Sequence, residues 1–334
     1  MTSPVTPVRV FEWMTAYQQT AALQTALELD LFSAVASGHQ TAATLAAKCG
    51  AAERGIRILA DFWTVHGLLS KTQDRYSLTP EAATFLDRQS PAYLGAVAGF
   101  LAGRHIRAQF DSLANAVRQG GVASDASGST ADHYEGWVDF ANSMAAMMSP
   151  AAAQIAQIVN EPRYAPLRVL DVAASHGAFG FAVAQQNPQA RITALDWPNV
   201  LEVTQANAAR LGLSAQLSTI AGDVFSVDLE GPYDAILLTN LLHHFDHATN
   251  VRLLKRLKAA LKPNGRVFTL EFVPHDDRVS PPAPAAFALV MLASTPAGDA
   301  FTFAELARMF NEAGFSSNTY IPLDGTPEAL ILSQ

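Results

Sequence analysis

Three short runs hold residues whose types and spacing can do chemistry: VLDVAASHG (169–177), LLHHFDH (241–247) and FTLEF (268–272). The second places His243, His244 and His247 within one turn and a half. Three readings compete. His243 and His247 have metal-ligand spacing, but a zinc site needs a further ligand and no H-E-x-x-H pattern is present, so no metal is expected. An imidazole titrates near neutrality and can take the proton of a hydroxyl, which makes His243, or less directly His244, a candidate general base. The third reading is structural. Glu271, closing the run LEF, faces the same edge and could orient His243, bind substrate or simply sit at the surface.

VLDVAASHG has the form of a nucleotide-binding turn in which Ala173 and Ser175 stand where glycines are usual. Both are small enough for a tight turn, and Gly177 can supply a positive φ. A dinucleotide would lay its pyrophosphate on the following helix N-terminus and favour glycine at position 178, which here is alanine. Asp171 at the loop's mouth would repel a pyrophosphate and attract an ammonium or sulfonium. S-adenosylmethionine carries both cations and no phosphate, so the chemistry points to it rather than to NAD. Asp196 ends the next strand and can accept ribose hydroxyls. Asp223, followed by Val224 and Phe225, can meet an adenine amino group, with Phe225 or Trp197 on the ring; ordinary turn chemistry also explains a Gly-Asp pair. Asn240, at a fourth strand end, can position substrate or the methionine part of the cofactor.

The elements that carry these residues are legible. From 165 onward LRVLDVA, ARITALD, AQLSTIAGD, YDAILLTN and GRVFTLEF are apolar strand candidates separated by helical stretches, which predicts a parallel sheet covered on both faces. SNTYIPL and EALILSQ after a last helix predict an antiparallel finish. Residues 105–164 read as helical around a Gly/Ser/Asp-rich stretch, 118–133, expected to be a mobile surface loop. In the helix after it Met144, Met147 and Met148 share one side with Phe140 a turn earlier, either as plain core or as the wall of a pocket for a flat apolar ligand. PPAPAAFALVMLAS (281–294) adds to that apolar character.

Residues 1–104 read helix, short helix, longer helix, hairpin, a winged-helix pattern. AALQTALELDLFSAVASG reads as one helix ending at Gly38; TAATLAAKCG starts on a Thr41 cap and stops at Gly50. Eight Lys/Arg against eight Asp/Glu make this segment neutral, so packing or dimerisation is expected of it rather than DNA binding. The whole chain of 334 residues has a net charge of −8, which also argues against a nucleic-acid partner. Cys49 is the only cysteine, which excludes an intramolecular disulfide and a cysteine-rich zinc site. No basic region followed by an apolar run opens the chain, and AYLGAVAGFLAG is too short to span a bilayer, so a soluble cytoplasmic protein is expected.

VLDVAASHG, ALDWPNVLE, AGDVF, LLTNLLHHFDH and LKPNGRVFTLEF, in that order, resemble the successive motifs of class I S-adenosylmethionine-dependent methyltransferases. With the winged-helix front end, FANSMAAMMSP and FTFAELARMFNEAGF, the whole chain resembles the bacterial relatives of plant small-molecule O-methyltransferases, the group of hydroxyneurosporene and mitomycin O-methyltransferase-like enzymes. The resemblance implies an α/β fold: a Rossmann-like seven-stranded doubly wound sheet preceded by a mostly α dimerisation domain. It implies domains at 1–104, 105–164 (linker and pocket helices) and 165–334, and a homodimer through the first. It implies S-adenosylmethionine as cofactor, S-adenosylhomocysteine as product and a small-molecule acceptor. The family's Leu-His-Asp-Trp base segment aligns with LHHF, making His243 the base. Asp299 stands one residue out of register with an acid that helps the base, where Ala300 and Phe301 replace the family's usual pair. Methylation at carbon, a relative that binds cofactor without methyl transfer, and a winged-helix regulator with a ligand-sensing domain are the alternatives.

Overall fold

The computed structural model describes residues 5–122, 128–131, 134–161 and 166–334. The chain forms two compact units that divide between Ala102 and Gly103.

In the first unit, helices Val8–Glu28, Leu31–Ala36, Ala42–Cys49 and Glu53–Val65 precede a hairpin of β1 (Leu69–Thr72) and β2 (Arg75–Leu78). The stretch expected as one helix up to Gly38 is broken at Asp30, whose φ of 54° turns the chain between two helices. The Thr41 side chain accepts from the Thr44 backbone N–H, and Gly50 ends that helix in the left-handed region. Helix Glu53–Val65 buries Ile56, Ala60 and Trp63 on one face, against Phe32, Leu45 and Tyr76. The hairpin is antiparallel, with Leu69 opposite Leu78.

The second unit is built on one seven-stranded sheet: β3 (Arg168–Val172), β4 (Arg191–Asp196), β5 (Leu217–Ala221), β6 (Tyr233–Thr239), β7 (Leu261–Glu271), β8 (Asn318–Pro322) and β9 (Ala329–Ser333). The spatial order is β5-β4-β3-β6-β7-β9-β8. β3 pairs in parallel with both β4 and β6, while β9 is antiparallel to β7 and to β8. β3 and β6 are almost wholly buried because helices cover both faces. Strand order reverses between them, so their carboxyl ends form the ligand edge. That edge also receives the start of β9, because β9 runs the other way.

The segment expected as a surface loop, 118–133, behaves otherwise where it is described; residues 123–127 and 132–133 lie outside the described residues. Gly128–Thr130 forms a single 3₁₀ turn in which Ser129 is buried. The Ser129 hydroxyl donates to the Ser294 carbonyl at the end of helix Pro282–Ser294. A side chain on Gly128 would strike that same carbonyl, so the close approach requires glycine. Packing against an open helix end, which needs a donor, outweighs the polar composition of the segment. Among the described residues no helix is long and apolar enough to cross a membrane.

Candidate active site

Three alternate residues after β3 sit in the left-handed region: Ala173 (φ 54°), Ser175 (φ 52°) and Gly177 (φ 78°). The loop therefore has the backbone that a glycine-rich turn would adopt, at a cost of roughly 1–2 kcal/mol for each non-glycine. Its surroundings impose the shape. Ser175 N–H donates to Asp196 Oδ2 at 2.8 Å, and Trp197 N–H to Oδ1 at 2.7 Å. Thr204 Oγ1 donates to the Ser175 carbonyl at 2.5 Å, and Asn207 Nδ2 to that of His176 at 3.1 Å. The acid read as a ribose ligand is thus also the clasp of the neighbouring loop.

Asp171 is buried in β3, where Gly180 N–H donates to its Oδ2 at 3.0 Å. Burial pushes its carboxyl up to about 7; the Gly180 amide opposes this and the Asp196 charge adds to it. Burial likewise lifts Asp196 to about 6, against the pull of the Ser175 and Trp197 amides. Two raised acids side by side leave a local demand for positive charge. Asp171 Oδ1, Ser175 Oγ, His176 Nε2 and Asn240 Oδ1 are buried without a hydrogen-bond partner among the described residues. The three oxygens of this set fit S-adenosylmethionine, whose ammonium and sulfonium offer cations and donors; a pyrophosphate would add charge of the wrong sign. Burial holds His176 down at about 4, so its ring is neutral. Its Nδ1 accepts from Ala178 N–H, which puts the proton on Nε2.

The other cofactor candidates lie along the same edge. Asp223 Oδ1 accepts from Phe225 N–H at 3.0 Å, the turn chemistry that a Gly-Asp pair allows. Val224 is buried in the main core, and the Phe225 ring lies edge-on to Phe245 and under the Arg252 guanidinium. Trp197 is half-buried at the start of helix Pro198–Arg210. Asn240 follows β6 with φ 55°, and its Nδ2 points to Met148 Sδ at 3.8 Å.

Beyond Asn240 a 3₁₀ turn, Leu242–His244, presents the two adjacent histidines. Asn250 holds the turn by donating to the Leu242 and Phe245 carbonyls. His243 Nδ1 lies 2.5 Å from Glu271 Oε2, and both side chains are buried. Glu271 Oε1 accepts from the N–H groups of Leu241 (3.1 Å) and Leu242 (2.7 Å). A carboxylate cannot donate, so in neutral His243 the proton sits on Nδ1 and Nε2 has a free lone pair. His244 Nδ1 is 3.2 Å from Ser129 Oγ, whose own proton goes to Ser294. Burial, aided by His243, keeps His244 well below the usual histidine range, hence neutral.

The structure does not bring His247 or the Asp299 carboxylate into this group. His247 faces Glu312 at 3.1 Å from a half-exposed position. Among the described residues no cluster of three or more His, Cys, Asp or Glu could hold a metal ion. Asp299 Oδ2 pairs with Arg278 at 3.1 Å, and only its backbone N–H reaches His243, at the carbonyl.

Aromatic rings wall the site. Phe140 stacks on His176 with centroids 6.0 Å apart, and Trp137 stands edge-on to His244 at 5.2 Å. Phe272 and Phe287 stack at 4.0 Å, and Phe287 meets His243 edge-on at 4.9 Å. Met144 and Met148 are buried and Met147 is half-buried. The sequence reading passed over Trp137, Phe272, Ser129 and Glu328. Glu328 had one available signal: an acid immediately before a strand that runs antiparallel starts at the ligand edge.

Comparison with known proteins agrees with this geometry. Residues 110–316 match the O-methyltransferase domain family, and residues 11–88 match the O-methyltransferase dimerisation domain family. The 3-hydroxy-5-methyl-1-naphthoate 3-O-methyltransferase of Streptomyces sahachiroi is 28% identical over 93% of this chain and 90% of its own. A crystal structure from Nostoc punctiforme, described as a candidate O-methyltransferase, is 45% identical with a TM-score of 0.95 over 99% of both chains. Human N-acetylserotonin methyltransferase, solved in complex with S-adenosylmethionine, shares the fold at 22% identity, with a TM-score of 0.86 over 100% of this chain and 99% of its own. A sheet with its ligand edge at β3 and β6, a loop suited to a cationic cofactor and a dimerisation domain in front place this chain in one family: it belongs to the S-adenosylmethionine-dependent O-methyltransferases.

Proposed function

We propose that the protein methylates a phenolic hydroxyl of a largely apolar aromatic small molecule, with His243 as general base and no metal. The observation that carries this reading is the His243–Glu271 pair. Glu271 fixes the tautomer that leaves Nε2 to take the phenolic proton, and its charge stabilises the imidazolium that results. Asp171, Ser175, Asp196 and Asn240 would hold S-adenosylmethionine, with Asp223 and Phe225 at its adenine end. When bound, S-adenosylmethionine supplies the electrophilic methyl carbon. The chain's own contribution is to hold the hydroxyl in line, exclude water with Phe140, Met144, Met148 and Phe287, and accept the proton. Flat aromatic acceptors suit walls built of rings, and the Streptomyces relative is named for a hydroxynaphthoate.

The active unit is a homodimer. Phe11, Trp13, Met14 and Tyr17 are each at least 60% exposed on one helix, an apolar surface too large to leave in water. The same unit has an apolar groove lined by Ala22, Leu29, Ile56, Leu59 and Phe62. A second copy fits both features, in agreement with the dimerisation-domain match.

The test is a phenol library incubated with S-adenosylmethionine and read by mass spectrometry for products one methyl heavier. His243→Ala should lose turnover by about 10²–10⁴-fold while S-adenosylhomocysteine affinity is retained. Full turnover in that variant would remove His243 from the chemistry.

A further inference from the structure

One atom around the cofactor loop does not answer a cation. Asp171 Oδ1, Ser175 Oγ and Asn240 Oδ1 are oxygens, whereas the fourth buried atom without a partner there, His176 Nε2, is a nitrogen. Its proton is fixed by geometry. His176 Nδ1 accepts from Ala178 N–H at 3.1 Å, and a ring nitrogen that accepts carries no hydrogen. The ring is therefore neutral, with its hydrogen on Nε2. The side chain is buried, and that N–H has no acceptor among the described residues. A buried donor left unmade is costly, and native structures seldom keep one without a reason.

The ring is firmly held. Phe140 stacks on it with centroids 6.0 Å apart and planes 16° apart, and Phe179 lies tilted at 6.2 Å. Asn207 Nδ2 and Thr204 Oγ1 fix the backbone carbonyls of His176 and Ser175. Phe140 belongs to helix Gly136–Ser143, and the next helix, Ala145–Val159, brings Met148 to Asn240. His176 and Asn240 thus face the same helix pair. His176 also stands at the N-terminus of helix Ala178–Gln186, where the backbone dipoles favour an anion. The Ala178 amide is spent on Nδ1 and the Gly180 amide on Asp171 Oδ2. Donation into Nδ1 polarises the imidazole and makes Nε2–H a stronger donor.

We propose that His176 binds the carboxylate of the cofactor's methionine end through Nε2–H. The proposal rests on the reading that this loop holds S-adenosylmethionine. That end carries an ammonium and a carboxylate. The buried oxygens answer the first, His176 answers the second, and the Ser175 hydroxyl can serve either because it both donates and accepts. His176 thereby makes the loop selective for an intact amino-acid tail, beyond the adenosine and the sulfur.

The test is calorimetric titration of the full-length protein with two ligands: S-adenosylhomocysteine, and its analogue in which hydrogen replaces the carboxylate. Wild type should prefer the first. His176→Phe keeps a flat ring against Phe140 and removes the donor. It should weaken S-adenosylhomocysteine by about tenfold or more and leave the analogue within about twofold. His176→Gln, whose amide nitrogen can stand in for Nε2, should recover part of the preference. Equal loss for both ligands, or no loss for either, overturns the proposal, since His176 would then only shape the loop. Should His176→Phe not fold, NMR of wild type with isotope-labelled histidine carries the test. The Nε2–H signal of His176, identified by its loss in His176→Gln, should move downfield with S-adenosylhomocysteine and not with the analogue. The same response to both ligands overturns the proposal. Failure of the cofactor reading is distinct: wild type would then bind neither ligand.

Discussion

Glu271 holds His243 and the turn that carries it at the same time: one carboxylate oxygen lies 2.5 Å from His243 Nδ1, and the other takes two backbone N–H groups of that turn. Glu271→Gln keeps the shape but offers an amide that can donate as well as accept, so it loosens the tautomer. Turnover should fall by about 10²-fold or more with little change in S-adenosylhomocysteine affinity. Single-turnover kinetics beside calorimetric titration separates the two, and a fall in affinity alone would point to a structural glutamate.

Asp299 gives the contrasting case. Its carboxylate pairs with Arg278 at a half-exposed position, and its link to His243 runs through the backbone. Asp299→Asn should therefore change turnover by less than about fivefold, because an exposed pair contributes little and the backbone bond survives. A loss as large as that of Glu271→Gln would show that the carboxylate reaches the base during catalysis.

The raised acids of the cofactor loop make a pH prediction. Asp171 at about 7 and Asp196 at about 6 bind protons more tightly folded than unfolded. Their contribution to the stability of ligand-free protein is full below about pH 4, the unfolded value, and is lost as pH rises through 6 and 7. Asp171→Asn removes one buried charge, so its melting temperature should exceed that of wild type at pH 8 and the gap should close toward pH 5. S-adenosylhomocysteine affinity should strengthen with pH in wild type and be weaker by about tenfold or more in the variant. A melting difference that does not vary with pH would refute the charge argument.

Ala173 and Ser175 allow a test of backbone strain. Both hold φ near +50° without being glycine. Ala173→Gly should be neutral or stabilising by up to about 1 kcal/mol, because relief of left-handed strain is partly offset by unfolded-state entropy. Ala173→Val should destabilise by about 2 kcal/mol or more, since a β-branched residue tolerates that region worst. Denaturant midpoints decide; equal midpoints for both variants would mean the loop relaxes elsewhere.

The front unit predicts its own oligomeric behaviour. Trp13 is 66% exposed in the middle of the apolar surface on helix Val8–Glu28. Trp13→Glu should weaken self-association by about 30-fold or more, as expected for a buried aromatic anchor. Sedimentation equilibrium across protein concentration gives the constant, and an unchanged dimer would place the interface elsewhere.

Local patterning is enough to read the strand-and-helix alternation, the Thr41 cap, the hairpin, the loop after β3 and the acids at the ends of β3 and β4. Each of these rests on local patterning: apolar periodicity, a capping residue, or small residues where a tight turn is needed. Sequence also offers His243 and Glu271 as candidates, since the first follows and the second closes a strand of a predictable parallel sheet. Tertiary structure decided which of them meet. It joined His243 to Glu271 and turned Asp299 away to Arg278. It drew Ser129 from a polar stretch into the interior beside His244, because an open helix end needed a donor. It brought Glu328 to the ligand edge through the antiparallel direction of β9. The antiparallel finish is legible, but these pairings depend on strand register and on long-range hydrogen-bond demand, which no local pattern records.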